Sequence, residues 1–101
     1  MDYAHEKLHH ATYVLATRFE ELTTRLSYAY REFMPINAEE IPATLKEDYE
    51  WIMTELHRDG SLDETLSQMA EGKAIEIAAA IWNLASNLGF CLAEKRRSGA
   101  G

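Results

Sequence analysis

The sequence predicts an all-α protein, a small antiparallel helical bundle of three or four helices with one long N-terminal helix. Three observations carry that expectation. Leu8, Thr12, Leu15, Phe19, Leu22, Leu26, Ala29 and Phe33 recur at alternating steps of four and three, the spacing of a helix with one apolar edge. Pro35, Pro42 and the Asp59-Gly60 pair divide the remainder into helix-length pieces. No stretch of useful length alternates at the period of a half-buried strand.

The first helix is expected over 2–34, because neither Gly nor Pro interrupts the chain before Pro35. Such a rod is about 45–50 Å long at the α-helical rise. A domain of this size has a diameter near 35 Å, estimated as roughly from its expected radius of gyration. The rod therefore overhangs, and a second subunit is the natural cover for its free edge. Opposite the seam lie Arg18, Glu21 and Arg25, with Glu21 and Arg25 in the favourable i,i+4 order of a surface pair. Tyr3, Tyr13, Tyr28 and Tyr30 widen the apolar stripe.

Beyond Pro35, Asn37 and Glu40 have the spacing of a capping box, so a single turn is expected there. Pro42 suits the first turn of a helix over 43–58, whose inner face is Leu45, Tyr49, Ile52 and Leu56. Gly60 is placed to cap that helix in the left-handed conformation. Ser61 and Glu64 form a second capping box, opening a helix over 62–71. Lys73 falls where the apolar pattern points inward, so a break or kink is expected at Gly72. The last helix, over 73–95, buries Ile77, Ile81, Leu84, Leu88 and Leu92, with Asn83, Ser86 and Asn87 as a solvent-facing strip. Residues 96–101 read as a frayed tail, and 1–101 as a single helical-bundle domain.

A chain of 101 residues with a formal charge of −7 accommodates one domain and is a poor general binder of nucleic acid. Lys95, Arg96 and Arg97 are its only local basic cluster, placed at a helix end. The lone Cys91, between Phe90 and Leu92, precludes an intrachain disulfide and reads as a buried thiol. The opening Met1-Asp2-Tyr3 lacks the features of a signal peptide, so a cytoplasmic location is expected. Ile75 to Ala93 is apolar enough to raise the question of a membrane span. Glu76, Asn83 and Asn87 interrupt it, and a buried central helix accounts for the same residues without a membrane.

One constellation invites chemistry. His5-Glu6-Lys7-Leu8-His9 matches H-E-x-x-H, in which two imidazoles at i,i+4 share a helical face and can hold zinc. A third-ligand pattern does not follow it, and the motif sits at the start of the chain. Glu6-x-x-His9 also fits one half of a carboxylate-bridged di-iron bundle, with Glu20, Glu47 and Glu50 as further carboxylates. Cys91 has no His-containing catalytic setting, His57 sits at a helix end beside Arg58 and Asp59, and Gly60 and Gly72 form no phosphate loop. A helix-turn-helix over 59–72 is disfavoured by Asp63, Glu64 and Glu71. The sequence thus points to a non-enzymatic helical bundle acting through protein–protein contacts as a homodimer, in an adaptor or regulatory role. Two alternatives stand beside it: a bundle binding Zn or Fe through His5, Glu6 and His9, and an acidic, antitoxin-like inhibitor that masks a basic partner.

Overall fold

The chain winds through α1 (Asp2–Thr17), α2 (Leu22–Phe33), a 3-10 turn (Ala38–Glu40), α3 (Ala43–Leu56), α4 (Leu62–Ser67) and α5 (Glu71–Ala100). This computed structural model describes the backbone of residues 2–100 and the side chains of residues 3–94. No strand occurs among them, in keeping with the all-α expectation. The side chains of Lys95, Arg96 and Arg97 lie outside the described set.

The long N-terminal rod expected from the seam is not formed. Helix α1 stops at Thr17, the loop Arg18–Glu21 reverses the chain, and α2 folds back along α1. The reversal brings the two halves of the seam face to face, so that Leu8, Leu15, Leu26, Ala29 and Phe33 are all buried within one molecule. Phe19, the seam residue at the bend, is fully exposed instead. The physical reason is that an apolar edge needs cover, and a connection of a few residues supplies it from the same chain.

Arg25 secures the bend. Its Nη1 donates to the Leu15 carbonyl at 2.8 Å and its Nε to the Glu20 carbonyl at 2.9 Å. Leu15 lies in the last turn of α1, where carbonyls lack helical partners, so the guanidinium serves as a C-terminal cap from the neighbouring helix. The expected Glu21–Arg25 surface pair is replaced by this role. Arg18 instead pairs with Glu20 at 3.4 Å and lies 4.2 Å from the Tyr28 ring centroid.

The following elements obey their local signals. Asn37 and Glu40 complete the capping box of the 3-10 turn, and Ile36 and Ile41 anchor its two ends in the core. Helix α3 buries Leu45, Tyr49, Ile52 and Leu56, the face expected of it. His57 caps its C-terminus: the ring Nδ1 lies 2.9 Å from the Met53 carbonyl, which can only accept, so Nδ1 carries the proton. Nε2 lies 3.2 Å from the Tyr30 hydroxyl, a hydrogen bond that links α3 to α2. Gly60 adopts φ +110°, the left-handed cap anticipated for it. The Ser61 hydroxyl accepts from the Glu64 N–H at 3.1 Å, the acceptor half of the second box.

The break between the last two helices comes before Gly72 rather than at it. Helix α4 ends at Ser67, short of the expected 62–71, and α5 begins at Glu71. Gly72 therefore sits inside the first turn of α5. Lys73, the inward mismatch of the sequence pattern, resolves into an ion pair with Glu55 of α3 at 2.8 Å and a second with Glu76 at 3.5 Å. Its hydrogen bond to Glu55 holds the ammonium above the usual lysine range, against an opposing desolvation effect.

Helix α5, with 30 residues, is the longest element, and it continues through Ala100 where a frayed tail was expected from Arg96. Its inner row, Ala74, Ile77, Ile81, Leu84, Leu88 and Leu92, is buried. Each Leu or Ile of that row contributes roughly 1.5–3 kcal/mol. Helix α1 runs antiparallel along α5, since His5 reaches Gly89 while Leu15 and Ala16 lie beside Ile75 and Ala78. The molecule measures 49 × 26 × 22 Å, and its long dimension is that of α5.

Two stability measurements check this account. A Cβ at Gly72 would meet nothing within 4 Å, so Gly72→Ala should raise unfolding free energy in urea by about 0.5–1 kcal/mol. Arg25→Ala should lower it by about 1–2 kcal/mol through loss of the bonds to Leu15 and Glu20. Arg25→Lys should recover less than half of that loss, because a lysine lacks the fork that reaches both carbonyls. Full recovery by lysine would refute the clamp.

Candidate functional site

The outer side of α5 carries the most unusual surface of the molecule. Residues 71–94 are long and apolar enough to cross a membrane, yet only 33% of the most apolar stretch is buried. A buried central helix, as the sequence led one to expect, is therefore half of the description. Ile75, Ala79, Trp82, Ser86 and Phe90 succeed one another at steps of four and three on the side opposite the core row. Trp82 is 51% exposed, Ile75 54% and Phe90 64%. The Ile77–Leu92 row accounts for one buried face of the helix and leaves these residues unexplained. The signal was present: a helix apolar on both sides needs cover on both.

Helix α1 forms the second wall of this surface. His5, His9, Thr12 and Ala16 fall at steps of four, three and four along it, facing α5. Two hollows open along the α1–α5 seam and share Trp82. The larger, about 340 Å³, lies between Leu15, Ala16 and Leu22 on one side and Ile75, Ala79 and Trp82 on the other. Its one charged neighbour, Arg25, is engaged with the bend described above. The smaller, about 200 Å³, lies among His5, His9, Thr12, Trp82, Ser86 and Gly89. Phe19 lies exposed in the Arg18–Glu21 loop between α1 and α2.

The histidine motif is divided by this geometry. His5 and His9 share the seam, with ring centroids 6.2 Å apart and planes inclined at 40°. Glu6 is exposed and lies about 100° around the helix from His5, the angular step of one residue. Gly89 leaves the space that the His5 ring occupies: a Cβ there would come within 2.9 Å of His5 Nε2. His10 points away toward α2, 3.9 Å from Glu32. Among the described residues, no group of three or more His, Cys, Asp or Glu is arranged to hold a metal ion. Glu20, Glu47 and Glu50 are exposed, and Glu20 is paired with Arg18.

Other polar features are accounted for within the fold. Thr12, the polar member of the seam, is buried and donates to the His9 carbonyl at 2.7 Å. Burial pushes the Tyr49 hydroxyl up, with Tyr30 and Glu40 adding to the effect, and that hydroxyl donates to the Ile36 carbonyl at 3.4 Å. Cys91 is half-buried against the core, more accessible than the buried thiol expected. Asn83, Ser86 and Asn87 are exposed, as a solvent-facing strip requires. Asn83 and Asn87 also border a groove with Asp48 and Trp51 between α3 and α5. No family model, no curated protein and no solved structure matches this chain.

Proposed function

We propose that the protein is a non-enzymatic helical bundle that acts through protein–protein contact, as a homodimer joined across the α1–α5 face. The observation that carries this reading is the exposed apolar strip Ile75, Ala79, Trp82 and Phe90 on the outer side of α5. The overhanging N-terminal rod no longer supports a dimer, because the fold-back at Arg18–Glu21 hides that seam internally. The argument from incomplete cover passes to α5.

A stable interface buries about 800 Å² per partner. The exposed parts of Trp82, Phe90 and Ile75 supply on the order of 350 Å² of that as apolar side chain, given ordinary side-chain areas, with the rest left to the polar rim. Single exposed apolar residues are common, whereas several on one face mark an interaction site. A second copy is the occupant favoured by chemistry, since the linings of the two hollows contain no carboxylate and two copies meet over them without opposing acids. The charge of −7 acts at longer range and slows the approach of like molecules.

Light scattering coupled to gel filtration tests the reading. At tens of micromolar the mass should be twice the 11.5 kDa of the chain. Trp82→Asp should give a monomer with unchanged helical content, because Trp82 is half outside the core. Raising ionic strength should tighten the dimer by screening the net charge, the opposite of what an acidic inhibitor bound to a basic partner would show. A monomer at these concentrations, in low and high salt alike, refutes the proposal.

A further inference from the structure

We infer that His5 and His9 form half of a divalent transition-metal site that a second copy of the chain completes. This inference rests in part on the α1–α5 face being the contact between copies. Two neutral imidazoles at i,i+4 are suitable ligands for zinc, nickel or cobalt. Rings bound to one zinc at about 2.0–2.1 Å have centroids about 5 Å apart, against 6.2 Å here. The approach needed is about 1 Å, within side-chain adjustment. His5 Nε2 is directed at Gly89, so that ring offers Nδ1 or turns about χ2 to meet a metal beside His9.

Two ligands leave a tetrahedral ion half satisfied. No third His, Cys, Asp or Glu joins them among the described residues. The linings of the two adjoining hollows contain no Asp, Glu or Cys at all. From the linings of these hollows a second copy docking on the same face brings His5 and His9 as its donors. In a two-fold symmetric pair the completed site therefore lies on the symmetry axis, with four imidazoles around one ion. Glu6, which the H-E-x-x-H pattern assigns beside the metal, does not join the two histidines in a three-ligand group. The Thr12 hydroxyl, committed to the His9 carbonyl, orders the helix turn that presents the second ring.

Untagged full-length protein stripped with EDTA is titrated with zinc sulfate, and both binding stoichiometry and mass are followed. The expected result is one zinc per two chains and a dimer dissociation constant lowered at least tenfold. Cobalt should give the intense visible bands of a tetrahedral nitrogen site. His5→Ala and His9→Ala should each abolish the metal response while keeping helical content and the metal-free mass of the wild type. Glu6→Gln should leave the response intact.

One zinc per chain without change in association overturns the inference, as does a response that survives His9→Ala or disappears in Glu6→Gln. The two proposals fail separately. A metal-free monomer that zinc converts to a dimer defeats the apolar contact and sustains the bridge. A metal-free dimer indifferent to zinc does the reverse.

Discussion

Everything in this fold follows from the reversal of the chain at Arg18–Glu21. An apolar edge running from Leu8 to Phe33 has two solutions: a straight rod whose edge is covered by other elements, or a hairpin that covers itself. The hairpin gives up helical hydrogen bonds at the bend and leaves Phe19 in solvent. In exchange it buries Leu8, Leu15, Leu26 and Phe33 against one another without any loss of translational freedom to a partner. The orphan carbonyl of Leu15 and that of Glu20 are then met by one guanidinium, Arg25, whose planar fork suits two acceptors at once.

The reversal also decides which helix is left over. Once α1 and α2 are spent largely on each other, the remaining long apolar element is α5, and the short helices around it cannot wrap it. Helix α1 covers one flank over Ile75 to Gly89, α3 covers another, and the strip through Trp82 and Phe90 stays open. The overhang predicted for the N-terminus is thus a property of the C-terminal helix. The physical premise, that a helix longer than its companions presents uncovered surface, is unchanged, and only its subject moves.

Local signals were legible in the sequence wherever the chemistry is local. The Asn37 and Ser61 caps, the left-handed Gly60 and the inner face of α3 depend on residues within a few positions of one another. The bend was illegible for the complementary reason. Thr17-Arg18-Phe19-Glu20-Glu21 contains neither Gly nor Pro, and the heptad spacing runs through it without a gap. A seam reports that an edge is to be buried, and its period is the same whether the cover comes from the same chain or another. Arg25 was equally hidden. Its i,i+4 relation to Glu21 is visible in one dimension, while its bond to Leu15 exists only after the chain has turned. Of the candidate ligands, the i,i+4 rule placed His5 and His9 together, whereas the i,i+3 relation of Glu6 to His9 does not by itself complete a three-ligand group.

The border of the α5 stripe narrows the kind of surface that can cover it. Glu76, Asn83, Asn87 and Glu94 form a polar edge immediately beside Ile75, Ala79, Trp82 and Phe90. A helix lying in a membrane interface exposes a broad apolar side edged with lysine and arginine, which meet lipid phosphates. Among the described residues this edge is acidic and amide-bearing, and it would set carboxylates against those phosphates. In the proposed homodimer the matching helix of a second copy lies along the apolar strip, with the α1 histidines on one flank and the amides of Asn83 and Asn87 on the other. It leaves the acidic edge in water on both copies, where the charge retains its hydration.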